Sequence, residues 1–119
     1  MHDPLIMPDA LSCDLDALPW APFRDGVEVS WLYRNGDHGA AAAFMRYAPG
    51  ARIPLHLHAG YEHILVLRGS QTDQRGRHAA GTLIINPPGT MHDLVSDEGC
   101  VVLIFWERPV ILDPDIRGA

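Results

Sequence analysis

Three residues in one short stretch carry side chains able to do chemistry together: His56, His58 and Glu62, at offsets of two and four between Gly50 and Gly69. Side chains two apart share a face of an extended strand. All three therefore turn to one side if the pairing is regular on both sides of Ala59-Gly60. Two imidazoles and a carboxylate converging on one point form a donor set for a divalent metal ion. A fourth candidate ligand, His92, lies in a second stretch punctuated by Gly81, Pro87, Pro88 and Gly89. Three imidazoles and one carboxylate accept Zn, Fe, Ni, Mn, Co or Cu, with Zn or Fe favoured, and leave one or two positions for water, substrate or dioxygen. Such an ion polarises a carbonyl or activates water. Ligating histidines must be neutral, so acidification should release it. Tyr61, beside Glu62, is expected to support the carboxylate with a hydrogen bond. No residue is singled out as catalytic in its own right.

Strands must position these groups. Val27 to Arg34 is β-branched and aromatic and stops at Asn35-Gly36, a hairpin pair. Ala40 to Tyr47 returns against it. Further strands are expected at Ile53–His58, Glu62–Leu67, Gln71–Arg75, Thr82–Asn86, Met91–Val95 and Cys100–Glu107. Short strands split by Gly/Pro turns predict an all-β sandwich or barrel over residues 25–109. Pro4, Pro8, Pro19 and Pro22 forbid a long helix in residues 1–24, which are nevertheless rich in apolar groups. They read as an N-terminal arm packing on the barrel or on a partner subunit, and residues 110–119 as a C-terminal arm. Apolar arms at both ends of a small barrel predict a homodimer.

Side chains outside the two stretches are given plainer roles. His63 follows Glu62 and is turned away from it by strand alternation. His38 and His78 read as solvated turn residues, Asp73 to Arg77 as a solvated hairpin tip, and Trp20, Trp31 and Trp106 as core or interface. The 119 residues suit one domain, and an apolar fraction of 47% supplies a core. A net charge of −6 argues against nucleic-acid binding. The longest apolar run, Val101 to Trp106, is strand-sized, so no membrane span is expected. The N-terminus lacks a basic region before an apolar core, so no secretory signal is expected. Cys13 and Cys100 match no metal spacing and read as reduced thiols in the cytoplasm.

The pattern Gly50-x5-His56-x-His58-x3-Glu62-x6-Gly69 resembles the first motif of the cupin superfamily, and Gly81-x5-Pro87-x-Gly89-x2-His92 the second, with Ser96 where that motif ends in Asn. The resemblance implies a double-stranded β-helix, the jelly-roll cupin barrel, with both motifs side by side inside it and His92 approaching the other three ligands. Tyr61 to Gly69, Gly81-Thr82, Asn86 to His92 and Glu98-Gly99-Cys100 further resemble the zinc-binding C-terminal domain of ChrR-type anti-sigma factors. The His/Cys zinc module by which those factors grip a sigma factor has no counterpart, Cys13 standing alone. The resemblance leaves three functions open. One is a metal-dependent oxygenase or related enzyme acting on a small carbonyl or diketone compound. The second is a non-catalytic zinc-binding sensor or regulatory domain of the ChrR type. The third is a sugar-binding or sugar-isomerising cupin, for which the strands offer few amide or acidic groups. A small-molecule ligand or substrate is the expected partner.

Overall fold

The computed structural model describes residues 3–112. A 3-10 turn, Leu15–Ala17, capped by the Asp14 side chain, precedes ten strands. They are β1 (Ala21–Arg24), β2 (Val27–Arg34), β3 (Ala41–Tyr47), β4 (Ala51–Leu57), β5 (Glu62–Asp73), β6 (Gly76–Ala79), β7 (Leu83–Asn86), β8 (Met91–Ser96), β9 (Cys100–Trp106) and β10 (Ile111–Leu112). All pair antiparallel. One sheet runs β1-β2-β3-β9-β5-β7, and a second joins β6, the end of β5, β8, β4 and β10. The expected all-β architecture is present, and its core lies between the sheets on Val27, Val29, Met45, Ile64, Val66 and Val102.

β5 belongs to both sheets. Its first part pairs with β7 and β9, and Ser70 to Asp73 pair with β6. The strands expected at 62–67 and 71–75 are thus one strand: Gly69 bends it rather than ending it. A bulge against β9 between Val66 and Arg68 prepares the turn, and Gly69 takes φ +74°. A β-carbon there would collide with the Gly99 carbonyl oxygen and lie 2.9 Å from Cys100 Cα. Only glycine allows the two backbones to pass so closely. Ser96 serves the same junction: buried, it donates to the Ser70 carbonyl at 2.6 Å.

Most of β3 is buried on both of its faces, and Trp20 and Asp16 of the N-terminal arm lie against its half-buried Arg46. The Arg46 guanidinium stands over the Trp20 ring at 4.6 Å, and Trp20 Nε1 donates to the Leu15 carbonyl. Asp16 receives Arg46 and Arg68, which holds its carboxyl below the usual range. The last residues of this arm are themselves β1, an edge strand on β2. At the other end β10 sets Ile111 beside Leu57 and Leu112 beside His56. Residues 113–119 of the C-terminal arm lie outside the described residues, as does His2.

Candidate metal centre

Each candidate ligand arrives by a different local device. β4 pairs with β8, but the register shifts between Ile53 and His56, at Pro54, which has no N–H to give the ladder. Beyond this irregularity His56 sits directly opposite His92. His58 stands one residue past β4, where its N–H donates to Thr90 and its carbonyl accepts from Gly89. The stiff Pro87–Gly89 loop therefore clamps it. Glu62 opens β5 from the other sheet, so strand parity does not carry across the turn at 58–61. The register places Glu62 between Asn86 of β7 and Trp106 of β9. Asn86 Nδ2 donates to Glu62 Oε1 at 3.1 Å and Trp106 Nε1 to Oε2 at 3.0 Å.

His56, His58, Glu62 and His92 come together as the sequence predicts. Their residue exposures are 3%, 1%, 3% and 0%, and one ligand atom of each lies within 4.8 Å of the others. All three imidazoles are held by Nδ1. His56 Nδ1 meets the Pro54 carbonyl at 2.9 Å, His58 Nδ1 the Thr90 carbonyl at 2.9 Å, and His92 Nδ1 the Asp73 carboxylate at 2.9 Å. These oxygens only accept, so Nδ1 carries the proton and Nε2 presents its lone pair. His58 Nε2 and His92 Nε2 are buried with no hydrogen-bond partner. His58 Nε2 is 3.2 Å from Glu62 Oε1 but not aligned with it as a hydrogen bond. Two orphaned lone pairs beside a carboxylate are costly unless something cationic binds them. The donor set fits a divalent ion.

The titration of the site agrees. Burial pushes the His56 imidazole down to about 4, so it is neutral and ready to ligate near neutrality. Burial alone would raise Glu62, but His58, whose Nε2 stands 3.2 Å from Oε1, together with the other two imidazoles holds it below its ordinary value.

Asp73 is the residue that the sequence reading misplaced. It is not a solvated hairpin tip: its carboxylate is fully buried, one oxygen on His92 Nδ1 and the other 3.0 Å from His78 Nε2. Burial favours the protonated form, yet bonds from His92, His78 and the Arg75 N–H bring it down to about 2. His78 is therefore part of this chain of contacts rather than a solvated turn residue. Tyr61 is turned outward, 46% exposed and against the His63 ring, and the Glu62 carboxylate takes its bonds from Asn86 and Trp106 instead. His63 itself packs on Phe105, away from the ligands. No spacing rule links Asp73 or Trp106 to the motifs; only the register of the folded sheets does.

A model of the family described as the ChrR cupin-like domain matches residues 8–109. The chain belongs to that family. The anti-sigma-E factor ChrR of Cereibacter sphaeroides is 29% identical over 110 residues, covering 90% of this chain and 50% of its own length. The chain thus spans half the length of that curated relative. A crystal structure of Rhodobacter sphaeroides SigE in complex with the anti-sigma ChrR superposes with a TM-score of 0.68 at 28% identity, over 78% of this chain and 50% of the other. An acetylacetone dioxygenase from Acinetobacter johnsonii superposes with a TM-score of 0.74 over 97% of this chain and 80% of its own, at 14% identity, a likeness of fold.

For this ChrR-like cupin domain, Asp73→Asn should weaken divalent metal binding about 10- to 100-fold, the usual effect of losing the group that orients a ligating imidazole. An amide in that place can turn its NH2 toward His92 and favour the wrong tautomer. Competition with a chelating dye measures the loss. Unchanged affinity would remove Asp73 from the site.

Proposed function

We propose that this domain is a small metal-dependent oxygenase or related enzyme, holding one divalent ion, zinc or iron, on His56, His58, Glu62 and His92 for a small carbonyl or diketone compound. The observation that carries this reading is a cavity of about 220 Å³ that reaches His56 and Glu62 along an apolar wall including Met45, Ile53, Ile64, Leu94 and Ile104. Small-molecule sites have this character, a mostly apolar cleft with few polar groups to fix orientation. A bound ion would supply a Lewis acid for a carbonyl oxygen. The chain supplies the rest. The apolar wall takes the hydrocarbon body of the ligand and excludes water. The Nδ1 bonds fix three imidazoles in advance, and Asn86 and Trp106 fix the carboxylate, so little reorganisation remains. Among the described wall residues Glu62 is the only carboxylate and there is no side-chain amide, which disfavours a sugar with many hydroxyls to satisfy.

A second reading, a zinc-binding sensor or regulatory domain without turnover, is favoured by the family itself and by the sigma-factor complex of its relative. One experiment separates the two. Protein loaded with iron or with zinc is followed in an oxygen electrode against a panel of small diketones. Oxygen uptake that needs both iron and diketone is the expected result, with the redox-inert zinc form as the control. A metal-loaded protein that consumes no oxygen and turns over no diketone, yet captures a sigma factor, would decide for regulation.

A further inference from the structure

Arg24 ends β1, where the register sets it beside Val27, and Val27 in turn beside Tyr47. Val27 and Tyr47 are buried members of the core, so Arg24 extends a row that faces the space between the sheets. It lines the same cavity as His56 and Glu62. Its guanidinium lies 5.6 Å from the centre of the Phe23 ring, and its Nε is buried with no hydrogen-bond partner. Among the described residues no carboxylate stands within ion-pair distance of it. A buried donor left unmade costs about 1–3 kcal/mol. The other arginine at the cavity, Arg34, is better provided for: it lies 3.9 Å from Asp37 and stands over the Trp31 ring at 4.9 Å.

Among the described residues the charge in the cavity has no answering carboxylate. Glu62, the only acid in its described wall, is already committed to Asn86, Trp106 and the imidazoles. Tyr47, next in the row, is kept protonated by burial, so it adds no negative charge. In a chain with a net charge of −6, the half-buried Arg24 thus stands at a mostly apolar cavity without a partner among the described residues. A guanidinium offers carboxylates a planar fork of donors.

We infer that the cavity selects carbonyl compounds that also carry a carboxylate, small keto or diketo acids, and that Arg24 receives the carboxylate. The inference rests on the proposed function for the carbonyl end of the ligand and on Arg24 alone for the acid end.

The probes are acetylpyruvate, a diketo acid, and its methyl ester, which differ at the carboxyl group. Calorimetry on metal-loaded protein and on protein stripped by a chelator reads both affinities. The acid should bind at least about tenfold more tightly than the ester in both forms, as expected for a charge-assisted bond. Arg24→Gln should bring the acid down to the level of the ester, leaving the ester affinity and the bound metal unchanged. Arg24→Lys should keep part of the preference. The metal-free comparison is decisive, because a metal ion can itself chelate a diketo acid. Equal affinity for acid and ester there, or a preference that survives Arg24→Gln, overturns the inference. A protein that takes up no metal yet still prefers the acid would instead overturn the proposed function and leave the role of Arg24 standing.

Discussion

Replacing His58 and His92 together by alanine should take the purified protein from close to one divalent ion per chain to none retained after dialysis against a weak chelator. The size of the effect follows from what these two rings contribute. Their Nε2 atoms are the buried lone pairs with nothing to bind them, and each is aimed by an Nδ1 bond to an acceptor on a separate segment, Thr90 for one and Asp73 for the other. The double variant keeps only His56 and Glu62, and two ligands cannot fill the three or four protein positions that zinc or iron sites ordinarily use. Either single variant should retain a weaker, exchangeable ion. Elemental analysis gives the stoichiometry, and circular dichroism shows whether the strands persist. Full occupancy in a folded double variant would mean that the ion sits elsewhere.

Gly69→Ala should destabilise the protein by about 3–5 kcal/mol, in the range reserved for backbone strain combined with a clash. An L-residue at φ +74° costs about 1–2 kcal/mol by itself. The added methyl group then meets the Gly99 carbonyl and Cys100 Cα, which are main-chain atoms and cannot turn aside as a side chain would. Gly36 is the internal control. Its φ is +68°, but nothing lies within 4 Å of a β-carbon there, so Gly36→Ala should lose only the conformational part, about 1–2 kcal/mol. Domains of this size hold about 5–15 kcal/mol in all, so the first variant should shift the denaturant midpoint strongly and the second slightly. Equal shifts would show that the close approach at Gly69 is not what selects glycine.

The four clustered residues were legible in the chain because their signal is local. Imidazoles at 56 and 58, a carboxylate at 62 and an imidazole behind a Pro-Gly loop need no knowledge of distant partners. Most strand ends were legible for a similar reason, since Asn35-Gly36 and Pro87–Gly89 announce turns by their own conformational preferences. What escaped depends on pairing across the fold. Asp73 sits in a polar run that looks like a hairpin tip, and only the passage of β5 into the second sheet brings it under His92. Gly69 was read as a stop because a glycine of positive φ ends a strand more often than it bends one. Tyr61 was expected to support Glu62 because it is adjacent in the chain. Across a sheet, however, the neighbours of Glu62 are the residues in register with it, Asn86 and Trp106.

The sharing of β5 between two sheets also bears on the order of events as the chain folds. Glu62 lies on the first sheet, while His56 and His92 lie on the second, so the ligands face one another only after the sheets have closed. Within each sheet, too, pairs such as Ala41 with Trp106 and Ala51 with Ser96 join distant parts of the chain. Architectures dominated by such pairings fold in milliseconds to seconds. A metal ion taken up there would therefore meet a finished site late, and its binding energy would act mainly by slowing unfolding, not by speeding the search that precedes it.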